Sequence, residues 1–200
     1  IDLDPPEGDG FGAAVAVVHL VRRVLDGAGL AGAVKTSGAK GLHVFVPVEP
    51  SVDAATAAAA TRALAARVER LDPSIATTAF VKDERQGKVF VDSTRGAGST
   101  VVATYSPRLR AGVPVSFPVA WDDVDDIAPR DFTIHNALTL LGDCDPSATR
   151  SSASGCGAGI ASAQGMPAPQ PLADDLVAEG NEIPVPRVAA MHEGKRRARA

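Results

Sequence analysis

The sequence predicts an α/β chain: a two-layer domain with a mostly antiparallel, mixed sheet and flanking helices, followed by a flexible tail. Three observations carry this. Short apolar–polar alternations bounded by proline or glycine recur at 1–4, 33–36, 42–48, 78–81, 88–93 and 100–105. Two longer stretches, 11–28 and 51–71, repeat their apolar residues at helical spacing. The resulting order, β-α-β-β-α-β-β-β, sets strands next to one another in sequence, which a strictly alternating parallel sheet does not do.

Each element has a local reason. Ile1-Asp2-Leu3-Asp4 alternates and stops at Pro5-Pro6, so it reads as the end of a strand. A breaker-rich turn over 5–10 leads into the first helix. There Ala14, Val17, Val18, Val21, Val24 and Leu25 form one apolar stripe, and Gly27 and Gly29 end it. A strand at 33–36 and a glycine-bracketed turn at 37–41 follow. The next strand sets Leu42, Val44, Val46 and Val48 on one face and His43 and Phe45 on the other. Pro50-Ser51 introduces an alanine-rich helix, with Ser51 or Asp53 as its cap and Asp72-Pro73 as its end. Residues 1–149 read as the folded core. Residues 150–170 are mostly Ser, Ala, Gly and Pro, and the chain ends Lys195-Arg196-Arg197-Ala198-Arg199-Ala200. Residues 150–200 are therefore expected to be a flexible tail with a basic end, too poor in apolar surface to offset its ordering entropy.

Composition excludes several classes. The 200 residues are 45% hydrophobic with a net charge of −4, and no apolar run is long enough to span a bilayer. Two cysteines, Cys144 and Cys156, are too few for a disulfide scaffold or a four-ligand zinc site without histidine. The expected location is the cytoplasm, in association with the nucleoid, and no membrane partner is expected. Positive charge is concentrated locally: 77–110 holds six basic residues against three acidic ones. Such a stripe either binds a polyanion or is a solvated strand face.

Asp2 and Asp4, two apart on a strand, project from one face and can hold hard cations together. Asp92 closes another apolar strand, Val89-Phe90-Val91-Asp92. If that strand lies beside the first, three carboxylates converge, and a metal pair offsets the cost of gathering them. The competing reading is three turn-capping aspartates. Between these residues lies Lys35-Thr36-Ser37-Gly38-Ala39-Lys40-Gly41-Leu42-His43-Val44. Its tight turn can receive phosphate oxygens on backbone N–H groups, Ser37 and Lys40, with His43 close by; the plainer reading is an exposed hairpin. It lacks P-loop spacing, and Gly8-Asp9-Gly10-Phe11-Gly12 lacks the spacing of a dinucleotide fingerprint.

Taken together with Gly87-Lys88-Val89-Phe90-Val91-Asp92, these segments resemble the three motifs of archaeo-eukaryotic primase-type polymerases, above all the polymerase domain of bacterial ligase D and its stand-alone relatives. The likeness continues through Ala103-Thr104-Tyr105-Ser106-Pro107-Arg108, Gly112-Val113-Pro114-Val115-Ser116 and Trp121-Asp122, over about residues 1–146. The resemblance implies a primase-polymerase catalytic core in which Asp2, Asp4 and Asp92 hold two Mn²⁺ or Mg²⁺ ions. It implies that Ser37, Lys40 and His43 bind the incoming NTP or dNTP, with Arg85 and Arg108 at its triphosphate and Arg95 at phosphate or template. The implied activity is nucleotide addition to a primer 3′-hydroxyl, for gap filling and end extension in non-homologous end joining. The implied partners are DNA ends or primer-template, a ligase and Ku-type end-binding proteins. It also implies a further N-terminal portion of the domain, which this sequence lacks before Ile1. The chain departs from the family at Ser93-Thr94-Arg95-Gly96, where an aromatic residue and an Arg/Gln-Asn pair are usual, and at Thr104, where proline is usual.

Two other readings compete. One is a catalytically impaired, nucleic-acid-binding relic of the same fold. The other is a haloacid-dehalogenase-like phosphatase with Asp2 as nucleophile, Asp4 as acid/base, Thr36 or Ser37, Lys40 or Lys88, and an acidic Mg²⁺ cluster at 122–126. Against it stand Pro5-Pro6 in place of a Gly-Thr turn and the consecutive strands.

Overall fold

A computed structural model describes residues 1–8, 10–94, 101–141 and 165–186. Six strands form one sheet in the order β4-β5-β1-β3-β2-β6. They are β1 (Asp2–Asp4), β2 (Ala33–Thr36), β3 (Leu42–Phe45), β4 (Ala76–Thr77), β5 (Val89–Asp92) and β6 (Pro118–Val119). Every pairing is antiparallel except β4 with β5, so the sheet is mixed, as the sequence order implied. The helices are α1 (Phe11–Gly27), α2 (Ala54–Leu71), α3 (Ala137–Leu141) and α4 (Asp174–Glu182).

Strand alternation divides the sheet into two faces. Leu3, Leu42, Val44, Val34, Val89 and Val91 point into the core and meet Val17, Val21 and Leu25 of α1 and Leu64 and Val68 of α2. At roughly 25 cal/mol per Å² of apolar surface buried, these side chains supply most of the drive to fold. Asp53 caps α2 as expected, its carboxylate accepting the Thr56 N–H at 2.7 Å. Trp121 is buried, and its Nε1–H donates to the Gly32 carbonyl at 2.8 Å. Among the described residues no helix is long and apolar enough to cross a membrane.

Three local expectations are corrected. The strand expected at 78–81 is displaced to β4, because the carbonyls of Ala79 and Phe80 accept N–H groups from Arg85 (both 3.2 Å) instead of a neighbouring strand. Residues 101–105, the described part of the strand expected at 100–105, form no strand: 101–103 are irregular and 104–105 turn, with Tyr105 at φ 66°. β6 was not foreseen; its Pro118 is tolerated because β6 is a sheet edge.

The flexible tail expected over 150–200 does not describe residues 165–186, which pack on the core. Gln170 brackets Ala31, accepting its N–H at 2.7 Å and donating to its carbonyl at 2.8 Å. Leu176 of α4 is buried to 1% exposure. Arg67 of α2 binds Glu179 at 2.6 Å. Gly180 lies so close to Ala59 that a Cβ there would collide with its carbonyl. The alanines on α2 leave room for this approach, a complementarity that tail composition does not reveal. Cys144 and Cys156 lie outside the described residues.

Candidate functional site

The site is built on β1, which is flanked on both sides. Asp2 stands opposite Asp92 in the β1–β5 ladder and opposite His43 in the β1–β3 ladder, while Asp4 stands opposite Phe90. Residues in register share a face, so Asp2, Asp4, Asp92, His43 and Lys35 all project from the face away from the Leu3 core. The condition set by the sequence, that the Asp92 strand lie beside the first, is met in register. Thr94 holds Asp92 through its N–H and its hydroxyl, at 2.8 and 2.6 Å to one carboxylate oxygen. That turn occupies the position where the family pattern is broken.

The 37–41 turn needs both of its glycines. Gly38 has φ +67°, and a Cβ there would come within 2.8 Å of Arg108 Cγ and the Ser116 nitrogen. A Cβ at Gly41 would collide with the Leu3 carbonyl oxygen. Ser37 Oγ accepts from Ala39 N–H (3.2 Å) and Gly41 N–H (3.1 Å) and so sets the turn's shape. Lys40 then reaches back to Asp4 (3.1 Å) and the Pro5 carbonyl (3.0 Å). Arg85 meets the other oxygen of Asp4 at 3.1 Å, with its guanidinium 3.9 Å from the Phe90 ring centroid. Asp4 is thus clamped between two cations.

Asp2, Asp4, Ser37, Lys40, His43 and Arg108 line one cleft of about 500 Å³, and Arg110 lines it too. Arg85 lies in an adjoining cleft that shares Asp4 and Lys40 and adds Lys82 and Lys88. Arg95 lies outside the described residues. Sequence reasoning gave no role to Lys35. Buried to 3% exposure, it touches His43 Nδ1 at 3.1 Å, and Asp2 meets His43 Nε2 at 3.3 Å. The available signal was positional: 35 and 43 flank a hairpin symmetrically and fall in register. Burial pulls the Lys35 ammonium down to about 8 and holds the His43 imidazole below the usual histidine range.

Among the described residues no three His, Asp or Glu groups are gathered into a set that could hold a metal. The donor chemistry nevertheless fits a hard divalent ion. Asp2 and Asp92 are directly opposed carboxylates, a costly pairing that a cation between them would offset, and Asp4 lies two residues along the same face. Of the residues of the phosphatase reading, Asp2, Asp4, Ser37 and Lys40 line the same cleft and Lys88 lines the adjoining one, while the rest lie elsewhere. Thr36 is on the core side, bonded to Val115 and Phe117, and the 122–126 segment is tied to α1 through His19–Asp125 and Arg22–Asp122.

A family model described as the LigD primase-polymerase domain matches residues 1–146. The multifunctional non-homologous end joining protein LigD of Mycobacterium bovis is 37% identical over 141 residues, covering 70% of this chain and 19% of that protein. The bifunctional non-homologous end joining protein LigD of Bacillus subtilis is 30% identical over 144 residues, covering 70% of this chain and 24% of its own length. A solved structure, the polymerase domain of Mycobacterium tuberculosis ligase D in complex with DNA, superposes with a TM-score of 0.64 at 36% identity. That match covers 70% of this chain and 49% of the other. The chain therefore spans about a fifth to a quarter of these curated relatives and about half of the solved domain. With the family model and the solved-structure match in agreement, this chain belongs to the LigD primase-polymerase domain family.

Proposed function

We propose that this chain carries the catalytic centre of a template-directed nucleotidyltransferase that adds NTPs or dNTPs to a primer 3′-hydroxyl during non-homologous end joining. One observation carries the reading: Asp92 lies directly opposite Asp2, with Asp4 on the same face, beside a cleft lined by Ser37, Lys40, His43 and Arg108. Asp2, Asp4 and Asp92 would hold two Mn²⁺ or Mg²⁺ ions. Bound there, such ions supply charge neutralisation for phosphoryl transfer. The chain's own side chains supply alignment. Lys40 and Arg108 bring positive charge to the triphosphate, Arg85 adds to it from beyond Asp4, and Ser37 and His43 hold the nucleotide; Arg95 is assigned to phosphate or template. DNA ends or primer-template are the macromolecular substrate, with a ligase and Ku-type end-binding proteins as partners in the cytoplasmic nucleoid.

The test is primer extension by the purified chain with primer-template DNA, NTPs or dNTPs, and Mn²⁺, beside Asp92→Ala. Extension that falls by about 10² or more in the variant supports the proposal. Phosphate release from small phosphoesters without extension supports the phosphatase instead. DNA binding with neither activity supports a non-catalytic relic.

A further inference from the structure

An ammonium group taken out of water needs partners for three N–H bonds and has no lone pair to offer in return. Lys35 has two hydrogen-bond partners and an aromatic face. One N–H points to His43 Nδ1 at 3.1 Å, one to Ser116 Oγ at 2.5 Å, and the third side is covered by the Phe45 ring, 5.5 Å to the centroid. Direction is fixed from the far end. The Ser116 hydroxyl donates to the Thr36 carbonyl at 2.8 Å, so its oxygen receives from Lys35. The β2–β3 register places Lys35 directly opposite His43, which leaves the ammonium facing Nδ1. A protonated amine cannot accept, so Nδ1 must be the acceptor. The one proton of the neutral ring then sits on Nε2, 3.3 Å from Asp2 Oδ1.

We propose that Lys35 is a positioning residue that locks His43 in its Nε2–H form, giving the cleft a fixed N–H donor beside Asp2. The opposite tautomer would aim a lone pair at the Asp2 carboxylate and lose the Lys35 bond at the same time. The consequence for catalysis rests on the polymerase reading above, in which His43 faces the incoming nucleotide and an N–H there attracts phosphate or sugar oxygens. The tautomer itself does not depend on that reading.

The deciding measurement is a long-range ¹H–¹⁵N correlation spectrum of the full chain, labelled at histidine and lysine, at about pH 7 without metal, DNA or nucleotide. The His43 signals are assigned by their loss in His43→Gln. The expected result is a pyridine-like Nδ1 and a pyrrole-like Nε2, together with a slowly exchanging Lys35 ammonium signal. Lys35→Met is expected to admit a measurable fraction of the Nδ1–H form alongside Nε2–H, and Lys35→Arg to restore Nε2–H. An averaged or Nδ1–H ring in the unaltered chain overturns the proposal, as does an ammonium exchanging like surface lysines. A pure Nε2–H ring that persists in Lys35→Met also overturns it. Should Lys35→Met fail to fold, the two signals of the unaltered chain still decide. Primer extension by folded Lys35→Met is expected to lose about tenfold in kcat/KM for nucleotide. Absence of extension by the unaltered chain would sink the polymerase reading and leave the tautomer result standing.

Discussion

At the scale of the residue, Lys35 couples the site to stability. Its folded value of about 8 lies below the ordinary 10.5, so between those values the unfolded chain binds more protons than the folded one. Stability contributed by this group therefore rises with pH across that window and is flat below it. Below about pH 8 the full cost of burying the charge is present, about 3 kcal/mol for a shift of this size. Denaturant titrations from pH 7 to 11 are expected to show the unaltered chain gaining on Lys35→Met through the window. A constant difference between the two would refute this. The motif surrounding Lys35 was legible in the sequence, because glycines, serine and lysine sit at fixed spacing. Its burial was not, since a lysine on a short strand reads as solvated until Ser116, eighty-one positions away, closes over it.

At the scale of the element, α4 shows where patterning fails. α1 and α2 were readable because each has a long apolar stripe, with seven buried residues apiece. α4 buries only Leu176 and Gly180, too few for a periodic signal. It is held by the shape of its partner and by Arg67 and Arg70 converging on Glu179. Leu176→Ala is expected to weaken docking by about 2–5 kcal/mol through the cavity it leaves. Gly180→Ala is expected to do so by about 1–3 kcal/mol, by forcing α4 away from the Ala59 carbonyl. Both should speed proteolytic cleavage between 165 and 173 while the sheet stays folded. Unchanged cleavage in both variants would show that α4 contributes little.

At the scale of the molecule, a net charge of −4 coexists with a cleft that gathers Lys40, Arg108 and Arg110 beside Asp2 and Asp4. Arg108 and Arg110 line it from a projecting loop whose tip, Leu109, is fully exposed. Salt screens the distant negative charge, leaving nearby cations to act on a phosphate backbone. DNA affinity of the chain should fall with salt, and Arg108→Ala with Arg110→Ala should lower the log–log slope by about one unit per lost phosphate contact. A slope unchanged in the double variant would remove this loop from the DNA path.

Local chemistry written into the sequence determined the helices with their cap, the glycine turn, the acidic strand ends and membership of a polymerase-type family. Those features depend on residues within a few positions of one another, where spacing alone fixes geometry. Tertiary structure decided which strands became neighbours, and with them the opposition of Asp2 and Asp92 and the three-way enclosure of Lys35. It also decided the docking of α4. The physical reason is the same in each case. Register and close approach depend on backbone pairing between segments tens of residues apart, and burial changes the charge and hydrogen-bonding role of a side chain whose identity stays the same.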